Sequence, residues 1–301
     1  AFIADKSWRG NDVSLTFSEF GMSQSAEVYF NGKKVAEFSD GFDNEIVLDD
    51  SDLRYGDWNF ITVKLDDEGG RWNWRGIKSD VFLEVKPKTK IMFPAVRTFV
   101  KDGKIIFEAT VKNNTGRSEK FALRATVEGE NAPADLKSQL VEIPAGAERK
   151  ISFSAPWENA KLWDVDSPYM YSCRMELIDK DGKVADSAQP FKFGFRTFEI
   201  VGKDYVLNGK KIHLFNHDSW GNCTATYEET LKTAKALKSL GYNSARGLFP
   251  VDAKDSRFEN IIRACDEEGI LLFVCLKGVT AKSYTLWNDP KTRVQLEKYM
   301  A

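Results

Sequence analysis

The 301-residue sequence predicts a multidomain chain, β-rich through its first two-thirds and α/β in its last third. Three observations carry that reading. Short alternating strands with tight turns run to about residue 200, a Pro- and Lys-rich joint (KPKTK, 86–90) interrupts them, and beyond residue 210 strand and helix alternate. Two β domains followed by a β-α repeat satisfy all three, with boundaries at 1–88, 89–195 and 196–301.

In the first domain VSLTF, AEVYF, KVAEF and FITVKL alternate apolar and polar residues, and Asn31 with Gly32 gives the two-residue hairpin signal. The same logic pairs RTFVK with KIIFEATV across Asp102 and Gly103, and CRMELID with KVADS across Asp181 and Gly182. Residues 89 to about 195 supply roughly seven such strands, the size and pattern of an immunoglobulin-like β-sandwich able to fold by itself. In the third domain KKIHLFN, NSARGLF and ILLFVCL read as strands. The second and third follow the helical segments YEETLKTAKALKSLGY and DSRFENIIRACDEEG, which Gly241 and Gly269 end. KIHLF and ILLFVCL are continuously apolar, as strands of a parallel sheet covered on both faces are. Leu231, Ala234, Leu237 and Leu240 recur at helical spacing, as do Ile261, Ile262, Ala264 and Cys265.

Composition narrows the partners. Hydrophobic residues make up 42% and charged residues 29%, ordinary for a chain that buries a core, and the formal net charge of −2 is spread without blocks. That excludes a broad surface for nucleic acid or an anionic membrane. No apolar run reaches the ~20 residues that span a bilayer, and AFIADKSWRG lacks the pattern of a signal peptide, so the chain as given reads as soluble. Cys173, Cys223, Cys265 and Cys275 are scattered and read as free thiols; with two histidines and no cysteine cluster, neither metal nor other cofactor is implied. Asn113 and Asn222 stand in Asn-x-Thr sequons, and localisation stays open between cytoplasm and export.

Several segments in order carry a resemblance: SWRGNDVSLTF, AEVYFNGKKVAEF, LRYGDWNFITVKL, RWNWRGIKSDVFLEV, LWDVDSPYMYSCRMEL, FKFGFRTFEI, YVLNGKKIHLFNHDSWG, LKSLGYNSARGLFP and DEEGILLFVCL. Together they resemble glycoside hydrolase family 2, the group of β-galactosidases, β-glucuronidases and β-mannosidases. The resemblance implies a partial sugar-binding jelly roll, an immunoglobulin-like sandwich and the first β-α units of an eight-stranded barrel. It implies a β-glycoside substrate and a retaining mechanism whose two carboxylates lie beyond this chain, so that the chain alone hydrolyses nothing and a homo-oligomer is possible. The alternative is a non-enzymatic carbohydrate-binding β module, against which the β-α repeat of residues 205–276 speaks.

The candidate substrate-binding residues are Asn216, His217 and Asp218, immediately after the first expected barrel strand, with Arg246 near the end of the second and Trp72 in the loop RWNWRGI. Strand C-termini of such barrels face the active site, where His217 and Asp218 can bond sugar hydroxyls and Arg246 can orient a carboxylate. Against this stand a turn-capping role for Asp218, an ion pair for Arg246 and an interface role for Trp72. No acidic residue is assigned to catalysis. Glu228 and Glu229 read as charges suited to a helix start, and Asp266, Glu267 and Glu268 as a solvated helix end. His213 reads as a core residue of KKIHLF. ARGLFP lacks the histidine that the family often carries before that proline, and Gly70 stands where its galactosidases have an acid, so galactose specificity is not implied.

Overall fold

The computed structural model describes residues 1–19, 25–38, 42–66, 76–77, 81–218, 226–249 and 256–276. In the first β unit, strand Asp12–Glu19 lies antiparallel between Phe42–Leu48 and Val81–Lys86. A second sheet has Ser25–Phe30 between Lys33–Phe38 and Ile61–Asp66. Alternation sends Val13, Leu15 and Phe17 of one centre strand and Ala26, Val28 and Phe30 of the other into one shared core. The hairpin at Asn31 and Gly32 forms as expected, with φ of 50° and 85°, the left-handed pair that such a turn requires.

Only Pro87 and Lys88 separate Val81–Lys86 from the next strand, Thr89–Phe99. This joint is pinned from both sides. The Asp12 carboxylate accepts from Lys90 Nζ at 2.8 Å and from Asn114 Nδ2 at 2.6 Å, and Lys90 and Asp12 retain only 8% and 10% side-chain exposure. Paired in this way, a charge so poorly hydrated is tolerable.

The middle unit sets a three-stranded sheet (Glu148–Pro156, Lys104–Asn113, Thr89–Phe99) against a six-stranded one built around Glu119–Glu128 and Met170–Asp179. Hairpins close at Gly103 and Gly182, with φ of +55° and +82°, as the Asp-Gly pairs predict. Ile105, Phe107 and Val111 meet Leu123, Tyr171, Met175 and Leu177 in the core, where Trp157 packs edge-on to Tyr171 and Phe195 at 4.7 and 5.3 Å. Cys173 is a free thiol there, its pKa pushed up to about 12 by burial. Cys265 is buried in a different cluster. Asn113 is fully buried and its amide donates to the carbonyls of Arg117, Ile143 and Pro144, so this sequon cannot take a glycan. Cys223 and Asn222 lie outside the described residues.

The third unit departs from expectation at its start. KKIHLF does not form a buried parallel strand. Lys210–Ile212 ends an antiparallel meander with Phe198–Val201 and Asp204–Leu207; His213 is exposed and Phe215 is 64% exposed. The reason lies in the preceding Asn208-Gly209, with φ of 51° and 79°, the same turn chemistry as Asn31-Gly32. The parallel sheet begins at Asn216–Asp218 and continues through Ser244–Phe249 to Leu271–Leu276, with helices Tyr227–Ser239 and Ser256–Glu268 between them.

Candidate functional site

The first helix is fixed locally at both ends. Thr226 and Glu229 form a reciprocal capping box that satisfies free N–H groups and sets a carboxylate at the helix's positive end. At the other end Gly241 N–H donates to Lys238 O and Tyr242 N–H to Leu237 O, the paired bonds of a left-handed glycine stop. Ala234 and Leu237 are buried, whereas Leu240, at the cap itself, is 74% exposed and stands off the apolar stripe expected of it. The turn then delivers Asn243, whose Oδ1 accepts from Phe215 N at 2.8 Å and whose Nδ2 donates to His213 O at 2.8 Å. These bonds start the first and second parallel strands in register.

That register places Asn216 beside Ser244, His217 beside Ala245, and Asp218 beside Arg246, which in turn neighbours Phe273. Because strand side chains alternate, Asp218, Arg246 and Phe273 share one face, with Asp218 the last residue of its strand and Arg246 and Phe273 each the third of six, and Asn216, Ser244 and Leu271 lie one step below. Arg246 Nε lies 3.4 Å from Asp218 Oδ1, their side chains 49% and 71% exposed. Between groups so well hydrated the pair adds little stability. Among the described residues it leaves four guanidinium N–H bonds and a carboxylate oxygen without a partner.

His217 is not part of that group. It points to the helix-covered face, edge-on to Tyr242 at 5.3 Å, and its buried Nδ1 has no hydrogen-bond partner among the described residues. Ala245 and Leu272 share this face and join the cluster of Ala234, Leu237, Ile261 and Ala264. Asn216 is exposed on the Asp218 side. Trp72 lies outside the described residues. Among the described residues no three His, Cys, Asp or Glu side chains gather as a metal site, and no helix among them is long and apolar enough to cross a membrane.

What sequence reasoning missed is the clamp beneath the site. Asp266 and Glu267 are not a solvated helix end. Trp163 Nε1 donates to Asp266 O at 2.6 Å, and Arg196 pairs with Asp266 Oδ1 at 2.8 Å while lying 4.1 Å over the Trp163 ring. Glu267 takes Lys192 at 2.8 Å and accepts from Tyr227 Oη and from Arg263. Burial works to raise the Glu267 pKa, but the hydrogen bonds from Lys192, Tyr227 and Arg263 outweigh it and hold the carboxyl below its ordinary value. The middle unit thus grips the end of the second helix, from which the third parallel strand departs.

A family model described as Glycosyl hydrolases family 2 matches residues 89–196. Two relatives extend the likeness to both sides of that segment. A β-galactosidase of Streptococcus thermophilus is 26% identical over 89% of this chain and 26% of its own length, and a putative β-glucuronidase of Formosa agariphila is 27% identical over 84% and 31%. This chain is similar to glycosyl hydrolase family 2 over that segment and on both sides of it. It spans about a quarter to a third of the length of those relatives. Solved structures agree in fold: a family 2 member from Bacteroides cellulosilyticus superposes with a TM-score of 0.75 at 22% identity, over 90% of this chain and 38% of that one. A β-galacturonidase from Eisenbergiella tayi, bound to galacturonate, gives 0.71 at 23%, over 98% and 52%.

Proposed function

We propose that this chain belongs to a family 2 β-glycosidase that removes terminal sugars by a retaining two-carboxylate mechanism. Its first unit is then a partial jelly roll (1–88), its second an immunoglobulin-like sandwich (89–195), and its third the opening of a catalytic barrel (196–301). The observation that carries the reading is the pairing of Asp218, the last residue of the first parallel strand, with Arg246 on the same face of the neighbouring strand, because barrel enzymes assemble their sites at the C-terminal ends of such strands. In this reading Arg246 donates to sugar hydroxyls or holds a neighbouring carboxylate ionised, Asp218 accepts from a hydroxyl, and Asn216 supports them from one step below. His217 then serves from behind, bracing the first strand against Tyr242. The attacking and protonating carboxylates must stand about 5–5.5 Å apart in a retaining enzyme. They are proposed to come from sequence beyond residue 301.

Kinetics of the full-length gene product on nitrophenyl β-glycosides test this. Arg246→Ala is expected to lower kcat/KM about a hundredfold or more, the scale of losing one charged donor at the reacting centre. An Arg246→Ala enzyme that keeps wild-type kcat/KM on every hydrolysed glycoside would remove Arg246 from the site.

A further inference from the structure

The geometry points to a second binding site, for a saccharide-sized carboxylate such as a uronic acid, in the cleft beside the joint between the two β units. The cleft encloses about 730 Å³ and is lined by the joint at Pro87–Thr89, the turn 115–121 and the hairpin around 179–185. That volume is ample for a monosaccharide or disaccharide, within the ~300–1,000 Å³ usual for small-ligand sites. Its position differs from that of the Asp218–Arg246 face, and its existence does not rest on the glycosidase reading.

Both walls are built in advance. Buried Asn113 holds the first: besides its three amide donations, its Oδ1 accepts from Thr115 N at 2.9 Å and from Thr89 Oγ1 at 3.2 Å. Asn114 N donates to Lys88 O at 2.8 Å, which fixes the joint to the same turn. The second wall is held by Asp179, whose Oδ1 accepts from Asp181 N at 2.9 Å and Lys183 N at 2.8 Å. A ligand therefore meets fixed turns and need not order them, which lowers the cost of binding.

Charge selects the class of ligand. Among the lining residues five cationic side chains face three carboxylates. Arg117 is paired with Glu119, Lys180 with Asp181, and Lys120 with Glu142, leaving the ammonium groups of Lys88 and Lys183 without a carboxylate partner among the described residues. Pro87, Val184 and Ala185 add apolar surface. The hydroxyls of Thr115 and Ser118 are already donating, to Asn113 and Glu142, so they offer lone pairs to an incoming O–H. Two free cations, apolar surface and hydroxyl acceptors suit a polyhydroxylated carboxylate better than a neutral sugar or a simple anion.

Saturation-transfer NMR of the 301-residue chain with sodium glucuronate, glucose and sodium acetate tests the site. Glucuronate is expected to bind most tightly, and a Lys88→Ala/Lys183→Ala pair is expected to weaken it roughly tenfold while a Lys88→Arg/Lys183→Arg pair retains it. Absence of transfer from glucuronate, equal binding of acetate or glucose, or unchanged affinity in the alanine pair would each overturn the assignment. None of those results bears on the glycosidase reading, which kinetics on Arg246 tests separately.

Discussion

Trp163→Ala is expected to cost about 3–5 kcal/mol, the range for deleting a fully buried large aromatic. The side chain is 0% exposed and packs with Val165, Leu207 and Leu271. Its indole N–H holds the Asp266 carbonyl, its ring carries the Arg196 guanidinium, and its backbone C=O accepts from Asn208 Nδ2 at 2.9 Å. Gly194 is glycine because a Cβ there would lie 2.7 Å from the indole. Removing the ring empties a cavity at the junction of the middle unit and the parallel sheet, so the loss concentrates there. Urea denaturation should show the lowered stability, and hydrogen exchange should quicken in 256–276 more than in the strands of the first unit. A cost below about 1 kcal/mol would mean that the clamp does not hold the sheet.

Gly269→Ala is expected to destabilise by about 2–4 kcal/mol through two separable effects. The backbone there has φ of +73°, which costs a residue with a Cβ about 1–2 kcal/mol. The added methyl would also stand 2.1 Å from Val165 O and 2.8 Å from Val165 C, atoms of a backbone that cannot swing aside. Gly241 supplies the control, because its φ is +88° but nothing lies within 4 Å of its would-be Cβ. Gly241→Ala should therefore show the conformational cost alone, about 1–2 kcal/mol. Equal destabilisation of the two variants in thermal or urea melts would contradict the close approach of helix end and Val165.

The contrast between those two glycines also marks what a sequence makes legible. Both helix stops could be read from Gly241 and Gly269, and the hairpins from Asn31-Gly32, Asp102-Gly103 and Asp181-Gly182, because the chemistry of a turn is contained in two or three residues. The misreading of KKIHLF is of the same local kind: Asn208-Gly209 carried the hairpin signal, and the apolar run after it outweighed it. Starting the parallel sheet at Asn216 instead of Lys210 places Asn216, His217 and Asp218 inside the first strand, and alternation then separates His217 from its neighbours. Asp218 was legible as a residue of a strand end, whereas Arg246, expected near the end of its strand, stands third of six, and their shared rung is a product of sheet register. The clamp was illegible for a plainer reason. Trp163 and Arg196 reach Asp266 across 103 and 70 residues of chain, and nothing near Asp266 or Glu267 distinguishes a gripped helix end from a solvated one.

The most direct test of the central claim is covalent trapping. The full-length gene product would be incubated with a panel of activated 2-fluoro β-glycosides, which halt a retaining enzyme at its glycosyl-enzyme intermediate, and the modified peptide identified by mass spectrometry. The expected result is one adduct per chain on a glutamate C-terminal to residue 301, with trapping slowed by Arg246→Ala. An adduct on a carboxylate within residues 1–301, or hydrolysis of the parent glycosides with inversion at the anomeric carbon, would contradict the account.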